Sequence, residues 1–364
     1  MSMIARPRVL ICSNATVREE IVSGEGVARL ERLADWEWLQ SEGVCTRPDV
    51  WGGPSDDPAD AEQLRARLRQ GDVDILLVCH GSPLVDGGIL DAGPSVRLVG
   101  ELEGDRFANR IDLDAAAARG VRVVDSTHGS SEPVAEWALA LMLIGLRNAG
   151  AQFRRLIAGE EFRRSRDDPG YRGGELTGQT VGLIGLGHIS RRLIELLQPF
   201  RCTVLAHDPY VPKELALAVG AQLTSLERVM SDADVVVCCA PLTPRTRGML
   251  GARELSWLRP DSVFVNVSRG PIVDSAALIA RARQGDIRVS LDVFDPEPIP
   301  AGSPIRELPN VFLSPHIAGV TAACRPRFFS YMVDEIERFV AGHETMFDLT
   351  PTTKANRTGS LPAV

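Results

Sequence analysis

Val181-Gly182-Leu183-Ile184-Gly185-Leu186-Gly187-His188-Ile189-Ser190 couples an apolar run to a glycine-rich turn, and an amphipathic pattern continues from Ile189 to Leu197. A buried strand that turns sharply into a helix has this form. Gly185 permits the tight turn, and Gly187 lets backbone approach a diphosphate held at the positive N-terminus of the following helix. Ser190 takes the third small position, where helix packs on strand. The next strand, Val204-Leu205-Ala206, ends at His207-Asp208, and Asp208 lies 208 − 185 = 23 positions beyond Gly185. An acid at about that distance accepts the hydroxyls of an adenosine ribose and repels a 2′-phosphate. No arginine follows in Pro209-Tyr210-Val211-Pro212, so NAD is expected over NADP. His188 and His207 read as loop residues beside the cofactor.

Around this turn, six strand-like runs follow one another: 180–184, 203–206, 235–239, 262–267, 289–293 and 311–314. Helical patterns fill most of the gaps, so the unit is a complete parallel dinucleotide-binding sheet. Before it, Pro133 to Asn148 is apolar nearly all round, with Ser131 as candidate cap and Pro133 in the first turn. Such a helix is buried between domains or between subunits. Upstream, strands at 9–12, 74–79, 96–99 and 121–124 alternate with helices at 17–33, 60–69 and 114–118, a second parallel α/β unit. An apolar helix over 327–341 is expected to return to that first domain.

In an open parallel sheet, reacting groups gather beyond the carboxyl ends of the strands. Three strand ends of the second unit supply ionisable groups: Ser268-Arg269-Gly270, then Asp292 with Glu297, then Pro315-His316. An arginine binds a substrate carboxylate bidentately and polarises the neighbouring carbonyl. His316 can give a proton to the alkoxide left by hydride attack, or take one in the reverse direction. Glu297, if bonded to His316, holds the imidazole tautomer and favours the imidazolium. Asp292 is placed to accept a bond from a nicotinamide carboxamide. This set fits reduction of a 2-oxo acid.

Composition narrows the alternatives. Of 364 residues, 44% are hydrophobic and 24% charged, and the formal charge of 40 − 48 = −8 argues against a nucleic-acid surface. The seven cysteines are odd in number and form no Cys-x-x-Cys pair, so no zinc site or disulfide framework is indicated. No apolar leader or membrane-length run is seen, and the expected location is the cytoplasm.

With these residues in hand, the chain resembles the D-isomer-specific 2-hydroxyacid dehydrogenases, closely over residues 111–340 and weakly before them. The resemblance is carried by Gly185-Leu186-Gly187-His188-Ile189-Ser190, Ala240-Pro241-Leu242-Thr243-Pro244-Arg245-Thr246 and Asn266-Val267-Ser268-Arg269-Gly270. Leu291-Asp292-Val293-Phe294-Asp295-Pro296-Glu297-Pro298 and Ser314-Pro315-His316-Ile317-Ala318-Gly319 complete it. It implies an α/β fold of two doubly wound parallel-sheet domains joined by long helices. One is a Rossmann NAD-binding domain over 128–317, the other a flavodoxin-like substrate domain over 1–127 plus 318–350, with 351–364 a mobile tail. It implies Arg269, Glu297 and His316 as catalytic residues. His188, Ile189, Asp208, Ala240 and Pro241 would contact NAD, as would Thr246, Val267 and Asp292. Gly81, Ser82, Gly104 and Arg106 are the substrate-loop candidates. A small anionic substrate, a homodimer and hinge closure on substrate are implied too.

The chain departs from the family where substrate is chosen. The usual Gly-x-Gly-x-Asp-Asn loop is replaced by Glu103-Gly104-Asp105-Arg106-Phe107-Ala108-Asn109-Arg110-Ile111-Asp112. Asp125-Ser126-Thr127-His128-Gly129 stands where Asn-Thr-Pro-Gly is common, which leaves the role of His128 open. Arg106 is expected to select a substrate with a second anionic group. Oxidation of a phosphite-type oxyanion and an NAD-sensing corepressor scaffold are the rival readings. A formate dehydrogenase is disfavoured because its histidine partner is a glutamine, where this chain has Glu297.

Overall fold

The first five β-branched or aromatic runs form one sheet: β1 (Arg8–Ser13), β2 (Asp35–Gln40), β3 (Ile75–Val78), β4 (Leu98–Glu101) and β5 (Arg122–Asp125). All pair in parallel, in the order β2-β1-β3-β4-β5, the flavodoxin-like arrangement. The remaining strands form a second parallel sheet. They are β6 (Thr180–Ile184), β7 (Thr203–His207), β8 (Gln222–Leu223), β9 (Val235–Cys238), β10 (Val263–Asn266), β11 (Arg288–Leu291) and β12 (Val311–Leu313). Their order is β12-β11-β10-β9-β6-β7-β8, so the chain reverses direction across the sheet between β6 and β9. That reversal is where an open α/β sheet leaves a ligand crevice. This computed structural model describes residues 6–46, 53–104, 108–160 and 173–358.

Helices cover both faces of each sheet, so β3, β9 and β10 are buried along their whole length. Strands covered on both faces read as continuous apolar runs rather than alternating ones, and each fully buried Val, Leu or Ile contributes about 1.5–3 kcal/mol. The helix Arg325–Val340 lays Phe328, Phe329, Met332, Val333 and Ile336 into one core with Val9, Ile11, Ile75 and Leu77 of the first sheet. The long helix Ser131–Leu146 packs Ala138, Leu141 and Met142 into a core with Val181, Val263 and Val265 of the second.

The chain divides into two units, Met1–Ser130 with Ala322–Asn356, and a second built on Ser131–Thr321. These crossing points fall a few residues after the expected 127/128 and 317/318. Residues 128–130 stay with the first unit because His128 stacks on Tyr331 at 4.8 Å and Gly129 O accepts from Arg327 Nη1 at 3.2 Å. Ala318 stays with the second because its N–H bonds Asp292 at 2.9 Å.

Four expectations need correction. The helix read over 17–33 is two, Ala15–Glu20 and Glu25–Leu33, because Gly24 adopts φ +67° between them. The expected set of strands lacks β2, with its alternating Trp36 and Trp38, and the two-residue edge strand β8. Ser131 is no cap: a 3-10 turn over Thr127–Ser130 runs straight into the long helix, and the Ser131 hydroxyl is buried without a partner. The tail, expected to be mobile, forms a helix over Pro351–Thr358, where Thr350 Oγ1 accepts from Thr353 N at 3.1 Å. A threonine followed by proline at the first helical position is a helix-start signal. No single helix among the described residues is long and apolar enough to cross a membrane.

Candidate active site

At the carboxyl end of β6, Gly185 takes φ +89°, and a Cβ there would come within 3.0 Å of Ala240 backbone. Gly187 stands at the N-cap of the helix His188–Leu197 and makes no side-chain cap, and the N-terminus of a helix favours an anion. Ser190 is fully buried and donates to Gly185 O at 2.7 Å, so the serine in the third small position stitches the helix to the turn. Asp208, after β7, accepts from Leu186 N at 2.8 Å and from Tyr210 N at 2.9 Å. It thus lies against the glycine turn. His207 Nδ1 is 3.2 Å from Thr224 O, a loop contact. After β9, Thr246 Oγ1 donates to Pro241 O at 2.6 Å and accepts from Thr243 N at 2.8 Å, which folds the Ala240–Thr246 loop on itself. Ser268 Oγ bonds Ala240 O and ties that loop to the end of β10, beside buried Val267.

Arg269, Glu297 and His316 follow β10, β11 and β12, three adjacent strands in register. His316 Nδ1 lies 2.5 Å from Glu297 Oε1. A carboxylate only accepts, so Nδ1 carries the proton in this pair and Nε2 is left for other chemistry. Arg269 is half-buried and donates from Nη1 to Ser268 O at 2.8 Å. Its loop is pinned to that of Glu297 through Gly270, where a Cβ would overlap the carbonyl of Phe294. Asp292 is fully enclosed. Its carboxylate accepts from Ser314 Oγ at 2.6 Å, Ile317 N at 3.1 Å and Ala318 N at 2.9 Å. Expected as a cofactor contact, it serves here first as the anchor of the His316 loop. About one of a carboxylate's four acceptor positions remains.

In the first unit, the substrate-loop candidates have structural work. Ser82 is fully buried and its hydroxyl donates to Cys79 O at 2.8 Å. Gly81 takes φ +92° and its O accepts from Ser41 Oγ at 2.7 Å. Gly104 makes room for a buried ion pair, since a Cβ there would stand 2.6 Å from both Arg110 Nη1 and Glu101 Oε1. Arg106 lies outside the described residues. The loop's organiser is instead Arg110, which the sequence reading passed over. It is wholly buried, bonds Glu101, and donates to Glu103 O at 2.7 Å and to His80 Nδ1 at 2.9 Å. Burial pushes the Glu101 carboxyl up to about 7 against the pull of Arg110. Ligand atoms of Cys79, His80 and Glu103 lie within 4.8 Å of one another, a spacing that suits a metal. The chemistry does not. Arginine only donates, so His80 carries its proton on Nε2, the nitrogen that faces Glu103 at 3.5 Å. Burial pushes the Cys79 thiol up to about 12.

The model of the D-isomer specific 2-hydroxyacid dehydrogenase NAD binding domain matches residues 139–318. The D-3-phosphoglycerate dehydrogenase of Methanocaldococcus jannaschii is 30% identical over 283 residues, 77% of this chain and 52% of that protein. The mitochondrial formate dehydrogenase of Solanum tuberosum is 34% identical over 240 residues, 65% of this chain and 62% of that one. A phosphoglycerate oxidoreductase from Rhizobium etli shares the fold, with TM-score 0.75 at 22% identity over 94% of this chain and 97% of its own. Residues 139–318 belong to the D-isomer specific 2-hydroxyacid dehydrogenases. The chain spans about half the length of the D-3-phosphoglycerate dehydrogenase it matches.

In this NAD-binding domain the helix N-terminus at Gly187, the tight turn at Gly185 and the carboxylate of Asp208 fit a dinucleotide. Gly270 is where the candidate site can be disturbed without replacing any of its ionisable side chains. Gly270→Ala must push the Arg269 and Glu297 loops apart. It is expected to cost about 1–3 kcal/mol of stability and about 10–100-fold in kcat/KM. Calorimetry and steady-state rates check this; activity within twofold of wild type would show that the two loops do not depend on this contact.

Proposed function

We propose that the protein is an oxidoreductase that transfers a hydride between NAD(H) and a small 2-oxo/2-hydroxy acid of the D series. The observation that supports this most is the 2.5 Å pairing of His316 with Glu297 at the same sheet edge as Arg269. In this reading Arg269 grips the substrate carboxylate with its planar fork and polarises the adjacent carbonyl. His316 gives a proton from Nε2 to the oxygen in reduction and takes it back in oxidation, while Glu297 holds Nδ1–H. When bound there, NADH would supply the hydride in reduction and NAD+ would accept it in oxidation. Gly185, Gly187, His188 and Ile189 would hold its diphosphate and Asp208 its ribose. Ala240, Pro241, Thr246 and Val267 would line it, and the spare acceptor position of Asp292 would take the carboxamide.

The names of the relatives support the choice of panel: D-3-phosphoglycerate first, whose second anionic group Arg106 would meet, with glyoxylate and pyruvate beside it. NADH absorbance followed with each acid or its 2-oxo form is the test. NADH binding without turnover on any member would favour the NAD-sensing scaffold instead.

A cytoplasmic setting is in keeping with seven free thiols. A homodimer is part of the same proposal. The helix Ala149–Ile157 leaves Phe153, Leu156 and Ile157 63%, 68% and 81% exposed, and Leu139 and Leu143 of the preceding helix are only partly covered. Three exposed large apolar side chains on one nine-residue helix favour association. Light scattering is expected to report twice the chain mass at micromolar concentration; a monomer would refute this part.

A further inference from the structure

We infer that Trp137 is a positioning residue for His316, acting through Ser314 and Asp292. His316 itself takes φ +52°, a left-handed conformation that a non-glycine residue keeps only when its surroundings hold it there. What holds it is the carboxylate of Asp292, which accepts the backbone N–H groups of Ile317 and Ala318, the two residues after His316. The carboxylate is in turn held by the Ser314 hydroxyl at 2.6 Å, and that hydroxyl accepts from Trp137 Nε1 at 3.0 Å. An indole N–H can only donate and a carboxylate can only accept, so the direction of both bonds is set: Trp137 to Ser314 to Asp292. Leu291 O, at 3.4 Å, is a second acceptor within reach of Ser314 Oγ. The indole fixes one lone pair of the hydroxyl and restricts its rotation, which keeps its proton on Asp292. Asp292 is fully buried, so a lost bond there is not replaced by bulk water.

Trp137 stands in the middle of the helix Ser131–Leu146, while Ser314 follows β12. The relay therefore ties the long helix to the loop that carries the imidazole. A shift of the loop by a fraction of an ångström changes where Nε2 points, and rates fall steeply with such misplacement.

This inference rests on His316 being the acid–base group, so the experiment separates the two ideas. Wild-type turnover that is lost on replacing His316 tests the function. Trp137→Phe, which keeps the ring and removes the donor, and Ser314→Ala, which removes the middle of the relay, test the positioning. Both are expected to lower kcat about three- to tenfold, with KM for the 2-oxo acid and Kd for NADH unchanged within twofold. Both are also expected to move the same imidazole resonance, one of only six histidines, in a nitrogen–proton spectrum. Equal losses in kcat and NADH affinity with a lowered Tm would mean the residues serve packing alone and would overturn the inference. So would an unchanged kcat and an unmoved resonance in Ser314→Ala, the variant that carries the test if Trp137→Phe fails to fold.

Discussion

Replacing His316 with asparagine is expected to lower kcat for 2-oxo acid reduction by about 10²–10⁴-fold, the usual worth of a positioned general acid. Asparagine is the better choice than alanine because residue 316 sits at φ +52°, a region asparagine tolerates and a β-carbon with no polar group does not favour. The substitution removes the titrating ring and leaves Glu297 with its contact to Phe294 N at 3.3 Å. Neither the glycine turn nor Asp208 touches the ring, so the Kd for NADH should stay within about twofold. The pair of measurements matters more than either one. Loss of rate with retained cofactor binding assigns the imidazole to the chemical step. Rates within about fivefold of wild type, with NADH still bound, would remove His316 from the mechanism and the proposed function with it.

The parts of this site that were legible in the sequence are those built from consecutive residues. Gly185, Gly187 and Asp208 belong to one strand–turn–helix–strand unit, and the physics of a diphosphate at a helix N-terminus leaves a local trace. The pairing of Glu297 with His316 was legible for a different reason: parallel strands deliver their carboxyl ends to one edge, so residues that follow adjacent strands become neighbours, and Arg269 follows the next strand at that edge. Trp137 was not legible. Its bond to Ser314 joins positions 177 apart, and nothing in the apolar pattern of its helix distinguishes an indole that packs from one that also donates. Arg110 was quoted only as a departure from a family pattern, because its partners Glu101, Glu103 and His80 become neighbours through the β3 and β4 strand ends alone.

Errors at the level of elements have the same character. The amphipathic pattern over 17–33 runs on across Gly24, whose positive φ breaks the helix in two. The alternation Asp35-Trp36-Glu37-Trp38 carries the signal of a partly exposed edge strand, which a search for continuous apolar runs does not find. Thr350-Pro351 announces a helix, but a polar composition in the last residues of a chain suggests mobility first.

Arg110→Met is expected to cost about 3–5 kcal/mol of stability, the usual penalty for leaving one partner of a buried ion pair alone. Both side chains are fully buried, so no water can reach the stranded Glu101 carboxylate. The size of the loss depends on pH, and its sign can be worked out. Burial raises Glu101 from 4.5 to about 7 in the folded chain, so its protonation supports the fold fully below 4.5 and this support is lost as the pH rises through about 7. Arg110 is what lowers that value in the native protein. Without it the carboxyl must stay protonated or pay for burial as an anion, and the deficit should be smallest near pH 5 and largest near pH 8. Adding Glu101→Gln to Arg110→Met should recover most of the loss at pH 8, because the pair is then neutral on both sides. Calorimetric Tm values for the wild type, both single variants and the double at the two pH values test the whole argument. A deficit below about 1 kcal/mol, or one that does not grow with pH, would mean that Arg110 is held by its contacts to His80 and Glu103 O and that Glu101 is not the charge it balances.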